Sequence, residues 1–181
     1  DAIADEIFLK MAAFANYGFP ESHSVSFAYL VYSSSYIKLH EPAVFCAALL
    51  NAQPMGFWSP HTLVRDARRH GVLVHTPDIN ASGHEATLEQ HGESETGLAV
   101  RLGIGSVRGI GSELAREIAI HRPYASIEEL VTRVPALSRK QVEALATSGA
   151  FTASFGDDRR HALWEAGAYG HGNIDKLQGV M

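Results

Sequence analysis

The sequence predicts a mainly α-helical fold with a small β segment, and three observations carry that expectation. Ile3, Ile7, Met11 and Phe14 recur at three- and four-residue steps, the spacing of one helical face. Val72–Val74 and Leu98–Ile104 are short apolar or alternating runs of the kind strands use. After them the helical period returns, in Ala115, Ile118 and Ala119 and again in Val142, Leu145 and Ala146.

The elements follow in order. A first helix runs from Asp1 to about Tyr17, and Gly18 and Pro20 in the turn Asn16–Pro20 end it. A second, opened by Pro20 and Glu21 or Ser22, runs to about His40 and is rich in aromatics: Phe27, Tyr29, Tyr32 and Tyr36. Pro42 suits the first turn of a short helix through Ala43–Leu50. Two prolines and a glycine make Gln53–Pro60 a junction, anchored by Phe57 and Trp58. Ser59 caps a helix that Pro60 opens and Gly71 ends, displaying Arg65, Arg68 and Arg69. Residues 80–97 are small, polar and acidic, and are expected to be exposed loop with a short strand at Ala86–Leu88. The glycine-rich residues 167–181 read as a flexible tail.

Composition sets outer limits. With 46% hydrophobic and 19% charged residues, the 181-residue chain can bury a core and is not of the disordered class. No apolar run reaches the roughly 18–20 residues of a membrane-spanning helix, because Lys38, His40, Glu41 and Pro42 interrupt the greasiest stretch. A single cysteine, Cys46, excludes an internal disulfide and a multi-thiolate metal site, so a cytoplasmic location is expected. Asp1 in first place, with no signal-peptide pattern behind it, reads as a piece of a longer chain.

The strongest chemical signal is Val107-Arg108-Gly109-Ile110-Gly111, followed by Ser112, Ala115, Ile118 and Ala119. Two glycines around one apolar residue permit a tight turn with outward backbone amides, and the helix that starts near Ser112 adds its positive dipole end. Together they form a phosphate-binding surface. The pattern is that of a helix-hairpin-helix, with an ordinary tight turn as its alternative. A dinucleotide-binding loop is excluded, since Leu114 stands where the third glycine belongs.

Downstream, Ser126-Ile-Glu-Glu129 is a capping box, Pro135-Ala-Leu137 a bend, and Ser138-Arg-Lys-Gln141 opens another helix. This second unit lacks a GxG, so a plain helical turn is its alternative reading. The residues expected to touch phosphate are Arg108, Gly109, Ile110, Gly111, Ser112 and Arg116 in the first hairpin. Ser138, Arg139 and Lys140 play that part in the second. The expected ligand is duplex DNA, gripped by its backbone without base reading. The net charge of −5 opposes this, but residues 101–160 carry nine basic against seven acidic side chains.

Other chemistries find no support. The ten histidines include no His-x-x-x-His pair, so no metal site is predicted. Ser22-His23-Ser24 sets hydroxyls beside an imidazole without the rest of a triad, and no catalytic residue is assigned.

At Tyr17-Gly-Phe-Pro-Glu-Ser-His-Ser-Val-Ser-Phe27, Tyr36-Ile-Lys-Leu-His-Glu-Pro42 and Ala47-Ala-Leu-Leu-Asn-Ala-Gln53 the chain resembles the end of the fingers domain in bacterial C-family DNA polymerases, the replicative alpha-subunit family. Gly56-Phe-Trp-Ser-Pro60, Asp66-Ala-Arg-Arg-His-Gly71 and Pro77-Asp-Ile-Asn-Ala-Ser82 look like the link that follows, and Arg101 through Phe151 like that family's tandem helix-hairpin-helix. Glu21 and Gln53-Pro-Met-Gly-Phe57 favour the error-prone, damage-tolerant branch.

The resemblance implies four parts: residues 1–54 from the fingers, 55–97 a link, 98–166 the tandem hairpins and 167–181 the tail. It implies that Ser22, His23 and Phe27 lie near an incoming deoxynucleotide, where Phe27 either stacks on a base or is plain core. The parent would be a DNA-directed DNA polymerase in translesion synthesis and repair, with Mg2+ on palm aspartates that these 181 residues do not contain. No cofactor is expected in this piece, which would be inactive alone. Implied partners are primer–template DNA, the sliding clamp and an inactive Y-family-like homologue, with no membrane. A free-standing helix-hairpin-helix DNA-binding or repair-scaffold protein is the alternative, and a protein-interaction domain a third.

Overall fold

A computed structural model describes residues 2–15, 21–156 and 158–168 of the chain. Among them the α-helices are α1 (Ala2–Ala15), α2 (Glu21–His40), α3 (Pro42–Asn51), α4 (Pro60–Arg69), α5 (Ser112–Ile120), α6 (Ile127–Arg133), α7 (Arg139–Ser148), α8 (Thr152–Phe155) and α9 (Arg159–Ala168). The strands are β1 (Leu73–His75), β2 (Thr87–Gln90) and β3 (Leu98–Arg101), and a 3-10 turn covers Ile104–Ser106. The fold is mainly α with a small sheet, as the periodicities predict. The turn expected over Asn16–Pro20 lies outside the described residues, as does the tail from residue 169. Gly167 and Ala168 complete α9 instead of beginning a tail.

By packing, the chain divides into Asp1–His40 and Glu41–Met181. The first unit holds α1 and α2. Their apolar side chains recur as the sequence predicts, yet Ile3, Ile7, Met11, Leu30, Tyr32 and Leu39 are all exposed. Periodicity thus specified the helices without specifying a cover for them. Lys38 and His40 in the last turn of α2 suit its negative dipole end.

In the second unit α3 opens with Pro42 at its first turn and buries Ala43, Cys46 and Ala47 against Val64, Ala67, Val72, Val74 and Val100. Burial, helped by the charge of Asp66, pushes the Cys46 thiol up to about 11, which makes it an inert core group. Helix α4 starts as expected: Pro60 follows the cap Ser59, whose Oγ accepts the Thr62 amide at 3.3 Å. Gly71, with φ +76°, turns the chain out of it into β1.

The sheet order is β1-β3-β2. β1 runs parallel to β3 with Val74 opposite Val100, and β2 runs antiparallel to β3 with Leu88 opposite the same valine. Arg101 on β3 ion-pairs with Glu89 on β2.

Three expectations need correction. Phe57 and Trp58 do not anchor the junction over Gln53–Pro60, since both are exposed there. The strand expected over Leu98–Ile104 ends at Arg101. At Gly103 a Cβ would overlap the His84 carbonyl oxygen, so the backbone there packs against the preceding loop instead of extending the ladder. Residues 80–97 are not simply exposed loop, since Ser82 and Ser94 are buried, Ser82 with its Oγ accepting the amide of buried Asp78. Side-chain bonds supply what periodicity lacked: Asn80 exchanges two bonds with the Tyr124 backbone at 2.7 and 2.8 Å, Ser82 Oγ donates to Leu102 O at 2.7 Å, and Ser94 Oγ donates to Leu98 O at 2.5 Å.

The main core gathers Ile79, Ile104, Ile110, Ile118, Leu130, Val134, Leu145 and Phe151. Helix α9 packs along α7 and adds Ala162 and Ala166. Phe151 is fully buried at its centre, and truncating such a ring costs about 3–5 kcal/mol.

Candidate phosphate-binding interface

The first hairpin is clamped from below. Ile104 N donates to Gly83 O at 2.8 Å and Gly105 N to His84 O at 3.0 Å, fixing the 3-10 turn against the loop before β2. Buried Ile104, Val107 and Ile110 hold the bend to the core. The bend closes with Val107 N on Ile104 O and Ile110 N on Val107 O, each 3.0 Å.

What faces out is backbone. Gly109 adopts φ +85°, a left-handed conformation that favours glycine. Gly111 is the N-cap of α5 at φ −73° and ψ 165°, where any residue fits, and a Cβ there would meet nothing within 4 Å. The amides of Gly109, Gly111, Ser112 and Glu113 find no acceptor among the described residues. Four donors around the positive end of a nine-residue helix make a site for an anionic oxygen. Arg108 and Arg116 are exposed, and neither makes a hydrogen bond or ion pair there. Glu113, in the first turn, is the one carboxylate that opposes an anion at this end.

Ile110 plays a different part from its expected one. Its side chain is buried and its amide is spent on Val107, so it anchors the bend.

The second hairpin is built from α6, a bend and α7. The capping box of α6 forms: Ser126 Oγ accepts Glu129 N at 3.1 Å, and Glu129 Oε2 accepts Ala125 N at 2.7 Å. That amide and then Arg133, at 3.0 Å, hold the Glu129 carboxyl below its usual range. At the start of α7 the Ser138 amide and hydroxyl both donate to Gln141 Oε1 at 2.8 Å. The carboxamide's other end, Gln141 Nε2, donates to Gly109 O at 2.9 Å and ties the two hairpins together.

Of the three residues expected here, Ser138 is committed to its cap and Arg139 Nε to Glu143 Oε1 at 2.7 Å. Lys140 is exposed and makes no such bond. It shares a cleft of about 600 Å³ with Arg108, lined also by Val107, Thr147, Ser148, Leu163 and Glu143, whose carboxylate is paired with Arg139. The structure thus brings a cation from each hairpin to one groove. The Gln141 bridge was not expected, although the Ser-x-x-Gln spacing signals its cap half.

His23 and Phe27 belong to the first unit, one turn apart on α2 with ring centroids at 4.5 Å, edge to face. Phe27 is 54% exposed, so it is not core there. The side chain of Ser22 lies outside the described ones. Among the described residues no three His, Cys, Asp or Glu side chains gather as a metal site would need, and no helix is long and apolar enough to cross a membrane.

Residues 71–162, just over half the chain, match the family model described as helix-hairpin-helix motif. The chain is similar to proteins named error-prone DNA polymerase. It is 55% identical over 184 aligned residues to that of Mycobacterium bovis, which covers 99% of this chain and 16% of the relative. It is 54% identical over 189 residues to that of Nocardia farcinica, covering 98% and 16%, and 52% identical over 169 residues to that of Burkholderia mallei, covering 90% and 16%. The chain therefore spans 16% of the length of these curated relatives.

Proposed function

The chain belongs to the helix-hairpin-helix family, and we propose that it is the duplex-gripping part of an error-prone DNA polymerase. One observation carries this: the start of α5 exposes unbonded amides, Gln141 at the start of α7 is hydrogen-bonded to the bend before them, and Arg108 and Lys140 from the two hairpins line one cleft. Amides and cations at that spacing hold phosphodiester oxygens and read no base edge, as an enzyme that translocates needs. The first hairpin would seat one phosphate at Gly109–Ser112, with Arg108 and Arg116 neutralising its neighbours. In the second, Lys140 reaches phosphate while Ser138 and Arg139 hold the helix start in shape.

The similarity over 98–99% of the chain to proteins named error-prone DNA polymerase supports the parent activity, nucleotide transfer on a primed template. Translesion synthesis, repair, a cytoplasmic setting, the sliding clamp and a Y-family-like homologue belong to the same reading. So do Mg2+ at the parent's palm and a deoxynucleotide near Ser22, His23 and Phe27. A salt titration of blunt duplex binding tests the core of the proposal. Phosphate contact predicts log affinity falling with log salt at a slope of about −0.9 per contact. Binding that is absent at low salt, or flat with salt, would refute it and favour a protein-interaction domain. Primer extension by the full-length parent separates a polymerase from a free-standing scaffold.

A further inference from the structure

A second patch has the chemistry of a nucleic-acid surface and lies apart from the hairpins in sequence. In the junction before α4, Phe57 is 96% exposed and Trp58 60% exposed, with one bond to the backbone of each. Phe57 N donates to Met55 O at 3.2 Å, and Gln53 Nε2 donates to Trp58 O at 3.2 Å. Two aromatics side by side in water are costly without a partner.

Helix α4 supplies the charge. Val64 and Ala67 face the core. Arg65 and Arg69, one turn apart, stand on the opposite side, about 7.5 and 13.5 Å along the axis from Pro60 at 1.5 Å per residue. Both are exposed, and neither makes a hydrogen bond or ion pair among the described residues. Arg68, between them, is instead bonded to Val74 O at 3.0 Å. Residues 53–59 carry no charge, so the nearest acid in sequence is Asp66, which lies 3.6 Å from His70.

We propose that Phe57, Trp58, Arg65 and Arg69 form a binding site for single-stranded DNA. Unstacked bases offer their faces to the two rings, and the backbone runs along the arginines. Single strands suit this site better than duplex, whose internal bases are already stacked and offer the rings no face. A purely apolar partner would leave the two uncommitted guanidinium groups without a role. The inference goes beyond the duplex grip and does not depend on it.

The 181-residue chain contains two tryptophans, so Trp164→Phe leaves Trp58 as the sole indole reporter. In that background, titration with oligo(dT) should quench Trp58 fluorescence saturably. Phe57→Ala and the double change Arg65→Glu with Arg69→Glu should each weaken binding about 5-fold or more. Blunt-duplex affinity in Phe57→Ala should stay within about 2-fold of the parent. All these side chains are exposed, and an unchanged far-UV circular dichroism spectrum checks the fold. Absence of quenching, quenching unaffected by charge reversal, or a Phe57-dependent dimer in sedimentation overturns the site. Loss of duplex binding with oligo(dT) binding intact refutes the hairpin reading alone, and the reverse pattern refutes this inference alone.

Discussion

Gln141 Nε2 donates to the carbonyl of Gly109 at 2.9 Å while its Oε1 accepts the Ser138 amide and hydroxyl, so one carboxamide caps α7 and fixes the bend of the first hairpin. Gln141→Ala should lose the cap, lowering stability by about 1 kcal/mol. Gln141→Glu keeps the cap acceptor and loses the donor to Gly109. Chemical denaturation should therefore separate the two variants. Duplex affinity should fall in both, since each lets the hairpins shift relative to one another.

The two glycines of the bend are glycine for different reasons. At Gly109 the backbone requires it, so Gly109→Val should destabilise by about 1–2 kcal/mol or more through the left-handed conformation alone. At Gly111 neither the dihedral angles nor packing require it. Gly111→Val should cost less than about 1 kcal/mol, yet weaken duplex binding about 10-fold by filling the space a phosphate takes. Thermal melting paired with fluorescence anisotropy distinguishes these outcomes, and normal binding by a well-folded Gly111→Val would sink the hairpin assignment.

Charge at the cleft gives a third expectation. Arg108→Ala and Lys140→Ala should each reduce the magnitude of the salt slope of duplex binding by about 0.9. Arg139→Ala should change it less, because that guanidinium is already engaged with Glu143 in an exposed pair worth about 0.3–0.5 kcal/mol. Glu113→Gln should strengthen binding by about 2- to 3-fold, since it removes the carboxylate beside the open amides of α5. Anisotropy at several salt concentrations measures all four.

Local chemistry made much of this fold legible. Ser59-Pro60, Ser126-x-x-Glu129 and Gly71 mark helix ends through bonds within a few residues, and the structure forms each of them. The GxG bend was equally readable, because its demands are confined to five residues. What sequence could not show are contacts between distant segments. Gly103 against His84, Asn80 with Tyr124 and Gln141 with Gly109 join residues whose spacing carries no period, and they decide where β3 stops and how the two hairpins are tied together. Arg139 and Lys140 differ in a way the sequence does carry: Glu143 stands one turn beyond the first and commits it, whereas Ala144 stands one turn beyond the second.

Acid should unsettle the sheet in two stages. Burial first, and then the charge of Arg101, lower the pKa of His75 from 6.5, so folding favours its neutral form. Its contribution is complete above 6.5 and is lost as pH falls through the lowered value. The hydrogen bond from Arg101 lowers the Glu89 carboxyl from 4.5, giving stability that is present above 4.5 and lost as pH falls through its folded value. Urea midpoints measured against pH should show His75→Asn removing the upper stage and Glu89→Gln the lower. A single stage that both variants leave unchanged would contradict the assignment.

Asp78 joins the loop before β2 to the far end of the hairpin core. Its Oδ1 accepts the amides of Asn80 and Ala81 at 2.9 and 2.8 Å and the hydroxyl of Ser154 at 2.8 Å. Ile79 N alongside donates to Ala150 O at 2.8 Å. The carboxylate is buried, and its Oδ2 has no partner among the described residues. Asp78→Ala would strand two amides and a hydroxyl, costing about 3 kcal/mol or more, whereas Ser154→Ala should cost about 1 kcal/mol. Asp78→Asn keeps the Oδ1 acceptor, so it should fall between the two. The same loop supplies Gly83 O and His84 O, on which the 3-10 turn under Gly109 rests. Below its melting temperature Asp78→Asn should bind duplex normally, and above it binding and fold should vanish together. Loss of binding well below the melting transition would show that the loop shapes the bend directly, beyond stabilising it.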